Sequence, residues 1–158
     1  MRENTEFKNY KIETIIGSDD LGVVYKAKVK NTDEKRAIKF IEKETIKAIY
    51  RTKFINEPSE SDLQPYINYF KEEIKNNQKC EDKNENIVKY YEYFNTENEF
   101  VFVMELFDEN LLNFITSKFE QLTMKEKYDI ICQMNNTFKI MNNKNIKFNG
   151  LKPENILI

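Results

Sequence analysis

The chain has 158 residues, with 25 Lys and Arg against 27 Asp and Glu, a net charge of -2 and no histidine. That length suits one domain or one and a fraction, the 40% apolar content excludes wholesale disorder, and the balanced charge disfavours a dedicated nucleic-acid binder. Without histidine, Ser-His and Cys-His nucleophile pairs and His-containing metal sites are excluded.

The first twenty residues alternate charge with short apolar runs, and no stretch approaches 18 apolar residues, so neither a signal peptide nor a membrane span is expected. Tyr10 to Ile16 and Val23 to Val29 read as strands joined by Gly17-Ser18-Asp19-Asp20-Leu21-Gly22. Asn31-Thr32-Asp33-Glu34 turns the chain into a third strand, Arg36 to Ile41, in which Lys39 sits among apolar neighbours. Residues 42–61 are mixed and polar and read as an inserted loop or a loose helix.

Pro65 suits a first helical turn, and Ile67, Phe70 and Ile74 follow at helical spacing, which predicts a helix to about Gln78. Cys80 and Cys132 are far apart and form no CxxC, so a reducing, cytoplasmic setting is expected. Ile87 to Phe94 and Glu99 to Leu106 flank Asn95-Thr96-Glu97-Asn98 as a further hairpin. Thr123-Met124-Lys125-Glu126 is a capping box opening a helix with Ile130, Met134, Phe138 and Met141 on one stripe to Asn143. The end, Ile156-Leu157-Ile158, is a strand seed with no partner after it.

The three glycines, Gly17, Gly22 and Gly150, are expected where a side chain is hard to accommodate. Phosphates need backbone N–H donors at close approach and a cation nearby, and a loop from Gly17 to Gly22 followed by Lys39 on the third strand offers both. Either feature alone reads as ordinary structure: a turn, or a solvated lysine. Their order carries more. Val24 follows the loop, then come Ala37-Ile38-Lys39, a helix with Glu73, Val103-Met104-Glu105-Leu106, and finally Leu151-Lys152-Pro153-Glu154-Asn155-Ile156-Leu157.

In that order the chain resembles the eukaryotic protein kinase family, serine/threonine type, over essentially residues 8 to 158. The resemblance implies an α+β fold: a five-stranded antiparallel N-lobe with one helix at 8–105, the insertion at about 42–61, then a hinge and partial helical C-lobe at 106–158. It implies ATP and Mg²⁺ as cofactors. Gly17 to Val24 would be the glycine-rich loop, Lys39 the phosphate-holding lysine, and Glu73 its helix partner, with Glu72 as the fallback. Met104 would be the gatekeeper, Glu105-Leu106-Phe107 the hinge, and Ile16, Val24, Ala37 and Leu157 the residues that sandwich adenine. Lys152 would serve phosphate and Asn155 Mg²⁺.

The departures bear on activity. Where the family writes H-R-D, this chain has Phe148-Asn149-Gly150, so Gly150 stands in the place of the catalytic Asp. A positioned base supplies roughly 10²- to 10⁴-fold. Asp19 replaces the middle glycine of the loop and faces the triphosphate with a like charge. Lys39 and Glu73 lie 34 residues apart, longer than the family usually shows. The sequence stops before a D-F-G segment, leaving an apolar face on the last helix that either further sequence of a longer product or a protein partner would cover.

Three readings follow. The favoured one is a pseudokinase or kinase fragment that binds ATP and phosphorylates Ser or Thr weakly or not at all. A second is an active serine/threonine kinase completed by sequence beyond Ile158, and a third is a scaffold domain with no nucleotide site.

Overall fold

A computed structural model describes residues 2–54, 58–81, 86–146 and 150–158. Phe148 and Asn149, named above in the catalytic-loop comparison, lie outside the described residues, as do 55–57 of the suspected insertion and the side chain of Cys80.

Strands β1 (Glu6–Phe7), β2 (Tyr10–Ser18), β3 (Gly22–Val29), β4 (Lys35–Glu42), β5 (Tyr90–Asn95) and β6 (Glu99–Met104) form one antiparallel sheet in the order β1-β2-β3-β4-β6-β5. There are six strands where the sequence predicts five. The extra one is β1, whose two residues pair Glu6 with Lys11 and Phe7 with Tyr10, a segment too short to show an alternation. The turn at Asn31 is as read, with φ at 61°, a left-handed conformation that Asn tolerates.

Alternation along β4 explains both of the sheet's cores. Ile38 and Phe40 point to one face and join Tyr10, Ile12, Tyr25, Ala27, Val101 and Val103. Ile41 points to the other, with Phe100 and Phe102, against Ile46, Leu63 and Phe70. Helix α2 (Gln64–Glu81) closes this second face. Pro65 occupies its first turn, where no N–H is needed. Ile67, Phe70 and Ile74 pack inward as their spacing predicts. Phe70 is the anchor, 3% exposed, with its ring 5.2 Å from both Phe100 and Phe102. Such aromatic pairs contribute about 0.5–1.5 kcal/mol each beyond area burial.

The segment after β4 is a 12-residue helix, α1 (Lys43–Phe54), followed by a short 3₁₀ turn at Glu60–Leu63. Of the two alternatives in the sequence, the helix is realised. Ile46 is fully buried and pins α1 to the sheet, and the Tyr50 hydroxyl lies 3.2 Å from Asp62 Oδ1.

Two compact units are distinguished: Met1–Lys75 with Tyr90–Leu106, and Asn76–Lys89 with Phe107–Ile158. The second contains α3 (Leu111–Lys118) and α4 (Met124–Asn143). α3 has no counterpart in the sequence reading; Asn110 caps it by accepting from Asn113 N–H at 2.9 Å. α4 opens on the predicted capping box, with Thr123 N–H donating to Glu126 at 2.8 Å and Glu126 N–H to Thr123 Oγ1 at 3.3 Å. Its predicted stripe is half-buried, while Met124, Tyr128 and Ile131 are exposed. The terminal strand seed does have a partner, and it precedes rather than follows: Leu157 bridges Asn110, Leu111 N–H donates to Ile156 O at 2.7 Å and Ile158 N–H to Glu109 O at 2.9 Å. Among the described residues no helix is long and apolar enough to cross a membrane.

Of the three glycines, Gly22 and Gly150 have a near neighbour where a side chain would stand, and Gly17 does not. A Cβ on Gly22 would stand 2.1 Å from the Phe40 carbonyl oxygen of β4, whereas one on Gly17 would meet nothing within 4 Å. Gly22→Ala is therefore expected to destabilise the chain by about 1–3 kcal/mol through forced separation of two paired strands. Gly17→Ala should stay within about 0.5 kcal/mol. Denaturant unfolding of the two variants checks the contrast.

Candidate functional site

Strand register gathers the candidate residues of the first unit. β3 and β4 pair Val24 with Lys39 and Lys26 with Ala37; β4 and β6 pair Lys39 with Phe102 and Ala37 with Met104; β2 and β3 pair Gly17 with Val24. Cross-strand partners share a face and side chains alternate, so Val24, Ala37, Lys39 and Met104 lie on the same face of the sheet, the one on which α2 packs. Ala37 is buried, Val24 and Met104 are half-buried, and Ile16, at a register shift between Ile15 and Gly17, is 47% exposed. Glu105 and Phe107 follow β6 in irregular backbone.

The ionic partners differ from those predicted. Lys39 Nζ lies 2.5 Å from Asp19 Oδ2, not against Glu73. Asp19 Oδ1 in turn accepts from Leu21 N–H at 3.1 Å and Gly22 N–H at 3.0 Å, while Asp19 N–H donates to Gly22 O at 3.0 Å. The glycine-bounded loop is thus closed on its own carboxylate. Partial burial pushes the Asp19 carboxyl up, but the Lys39 ammonium and the two amides outweigh it and hold the group below its ordinary 3.8. Glu73 accepts a hydrogen bond from the Tyr90 hydroxyl at 3.0 Å. Burial, reinforced by the charge of Glu73, raises the Tyr90 phenol well above its usual range. Glu72, the fallback partner, pairs with Lys75 at 3.2 Å on the exposed side of α2.

Sequence reading missed Asp19 as the partner of Lys39 and Tyr90 as the partner of Glu73. The first left a signal. Asp followed at two and three residues by Leu21 and Gly22 is a local pattern in which a carboxylate caps its own turn. The second left none, since Tyr90 is 17 residues from Glu73 and reaches it only through folding.

Within the second unit, Gly150, Lys152, Asn155 and Leu157 lie on or beside a 3₁₀ turn at Pro153–Asn155. Asn155 Nδ2 donates to Gly150 O at 2.8 Å, and a Cβ on Gly150 would stand 2.9 Å from that same amide nitrogen. Asn155 thus spends one amide hydrogen on the backbone, and its Oδ1 is an acceptor. Lys152 is exposed. Among the described residues no group of three or more Asp, Glu, Cys or His side chains converges as a metal site.

Comparison with known proteins places these features in context. The family described as Protein kinase domain matches residues 10–158. Calcium-dependent protein kinase 5 of Plasmodium falciparum (isolate 3D7) is 32% identical over 152 residues, covering 96% of this chain and 22% of that protein. The chain therefore spans under a quarter of the length of that curated relative. The crystal structure of Rad53 1-466 in complex with AMP-PNP shares the fold with a TM-score of 0.74 at 21% identity, over 96% of this chain and 36% of that one.

Two expectations test the observed pairings. Tyr90→Phe removes the hydrogen bond to Glu73 and should cost about 0.5–1.5 kcal/mol in denaturant unfolding. Because the folded pKa of Asp19 lies below its unfolded 3.8, its ionic contribution is fully present above 3.8 and is lost as pH falls through the lower folded value. The stability difference between wild type and Asp19→Asn, followed by acid unfolding, should accordingly shrink below that pH.

Proposed function

Because the chain belongs to the protein kinase family, we propose that it is a nucleotide-binding, kinase-like domain that takes ATP and transfers phosphate to Ser or Thr weakly or not at all. Residues 8–105 are its N-lobe and 106–158 its hinge and the opening of its C-lobe under this reading.

The observation that supports ATP binding is the donor set beside Lys39. Two main-chain amides, from Leu21 and Gly22, and one ammonium converge on a carboxylate, and phosphate oxygens accept from the same kinds of donor. That cradle fits an oxyanion, so Lys39 and the loop from Gly17 to Gly22 would hold phosphate. The apolar Val24, Ala37, Met104 and Ile16 suit an adenine ring, with Glu105 and Phe107 offering backbone groups to its edge. The AMP-PNP in the Rad53 crystal structure supports the same ligand class.

From the second unit the resemblance assigns Leu157 to the base, Lys152 to phosphate and Asn155 to Mg²⁺. Asn155 offers a single oxygen, so Mg²⁺ would depend on nucleotide phosphates for its other ligands, as is common for this cation.

The reading of weak transfer rests on Gly150. A positioned base is worth roughly 10²- to 10⁴-fold in rate, and a residue with no side chain supplies none of it. Asn155 fills the space beside Gly150 with a hydrogen bond to its carbonyl, not with a proton acceptor.

Thermal unfolding of the purified chain in a MgATP titration checks the binding step: ligand at 100 times Kd adds about 2.7 kcal/mol to stability, and Lys39→Met should abolish the rise. No rise at millimolar MgATP would refute nucleotide binding. Phosphorylation of peptides at rates within tenfold of ordinary kinases, about 1–100 s⁻¹, would refute the loss of transfer.

A further inference from the structure

The hydrogen bonds of Asp19 carry more than a turn requires. An aspartate that only caps its own turn needs the amides of Leu21 and Gly22 on one oxygen, and Asp19 has both on Oδ1. Its second oxygen is aimed at a cation of β4, with Lys39 Nζ at 2.5 Å. The carboxylate thereby saturates two adjacent main-chain donors and an ammonium, an arrangement that suits an oxyanion. Asp20, the adjacent acid, makes no such contact among the described residues.

Resting on the nucleotide-binding reading above, we propose that Asp19 is a built-in competitor anion: its carboxylate occupies the donors that a nucleotide phosphate requires, and ATP binds only by displacing it. Displacement needs no unfolding of the sheet. The Asp19 side chain is 46% exposed, so it can turn to water, whereas the Lys39 side chain, 21% exposed, stays with β4. Affinity for ATP is then set by an exchange of anions at Lys39, and the site responds only at nucleotide concentrations high enough to win that exchange.

The test uses the full chain as wild type, Asp19→Asn and Asp20→Asn, titrated calorimetrically with MgATP and separately with inorganic tripolyphosphate. Asp19→Asn keeps an acceptor for the turn but removes the charge and the second acceptor. It should bind both ligands about 5- to 150-fold more tightly than wild type, the range that like charges some 5 Å apart produce near a surface. Asp20→Asn changes net charge equally and should gain far less. Asp19→Ser, which also retains a short acceptor, gives the same comparison where Asp19→Asn does not fold.

Equal affinities of wild type and Asp19→Asn for MgATP would overturn the competitor while leaving nucleotide binding intact, and equal gains in the two Asn variants would overturn it in favour of net charge. A gain for tripolyphosphate in Asp19→Asn with no MgATP binding by any variant would uphold the competitor and refute the nucleotide site. Binding of neither ligand to any variant would overturn both.

Discussion

The pairing of β3 with β4 carries the most weight in this molecule, because side chains alternate and a slip of one residue would invert every face. The observed register opposes Gly22 to Ile41 and Val24 to Lys39. Close approach at Gly22, where the Phe40 carbonyl leaves no room for a Cβ, allows the loop before it to fold down over the strand. The same register sends Phe40 and Ile38 into one core and Ile41 into the other. The position of Lys39 relative to the glycine-bounded loop is a consequence of those two buried sets rather than of any interaction made by the lysine itself.

Once so placed, the ammonium needs an anion, and the chain provides one from the loop instead of from the helix. The exchange involves two acids and a phenol. Asp19 takes Lys39, and Tyr90, partly covered by the second core, takes Glu73. Each carboxylate is left with a compatible donor at the exposed margin of the second core. The phenol of Tyr93, by contrast, is buried with no hydrogen-bond partner among the described residues, and burial raises its pKa.

Much of this was legible from residue order, for a physical reason. β2 to β4 and the β5–β6 hairpin announce themselves through apolar alternation, α2 through Pro65 and the Ile67, Phe70, Ile74 stripe, and α4 through Thr123 and Glu126. β1 and α3 did not, since two residues hold no period and an eight-residue helix holds barely two turns. Residues 42–61 were ambiguous because, among the described side chains of α1, Ile46 alone is fully buried. At the candidate site, the sharing of a face by Val24, Ala37 and Lys39 follows from strand periodicity and could be anticipated. The turn at Asp19 left a local signal, but its pairing with Lys39 in preference to Glu73 left none, because that depends on which of two carboxylates the folded loop and helix bring within reach.

Helix α1 also changes how α2 is tethered. A short covalent link from β4 would dictate where the helix bearing Glu73 sits, and lengthening such a link would loosen it. Loop closure, however, grows only logarithmically with length, with each doubling costing about 0.6 kcal/mol. The extra segment here also has its own attachment through Ile46 and through Tyr50 to Asp62. The placement of α2 is therefore governed by the Phe70 aromatic cluster and by Leu63 just ahead of the helix, so the position of the carboxylate that α2 carries is set by packing and not by how many residues lead up to it.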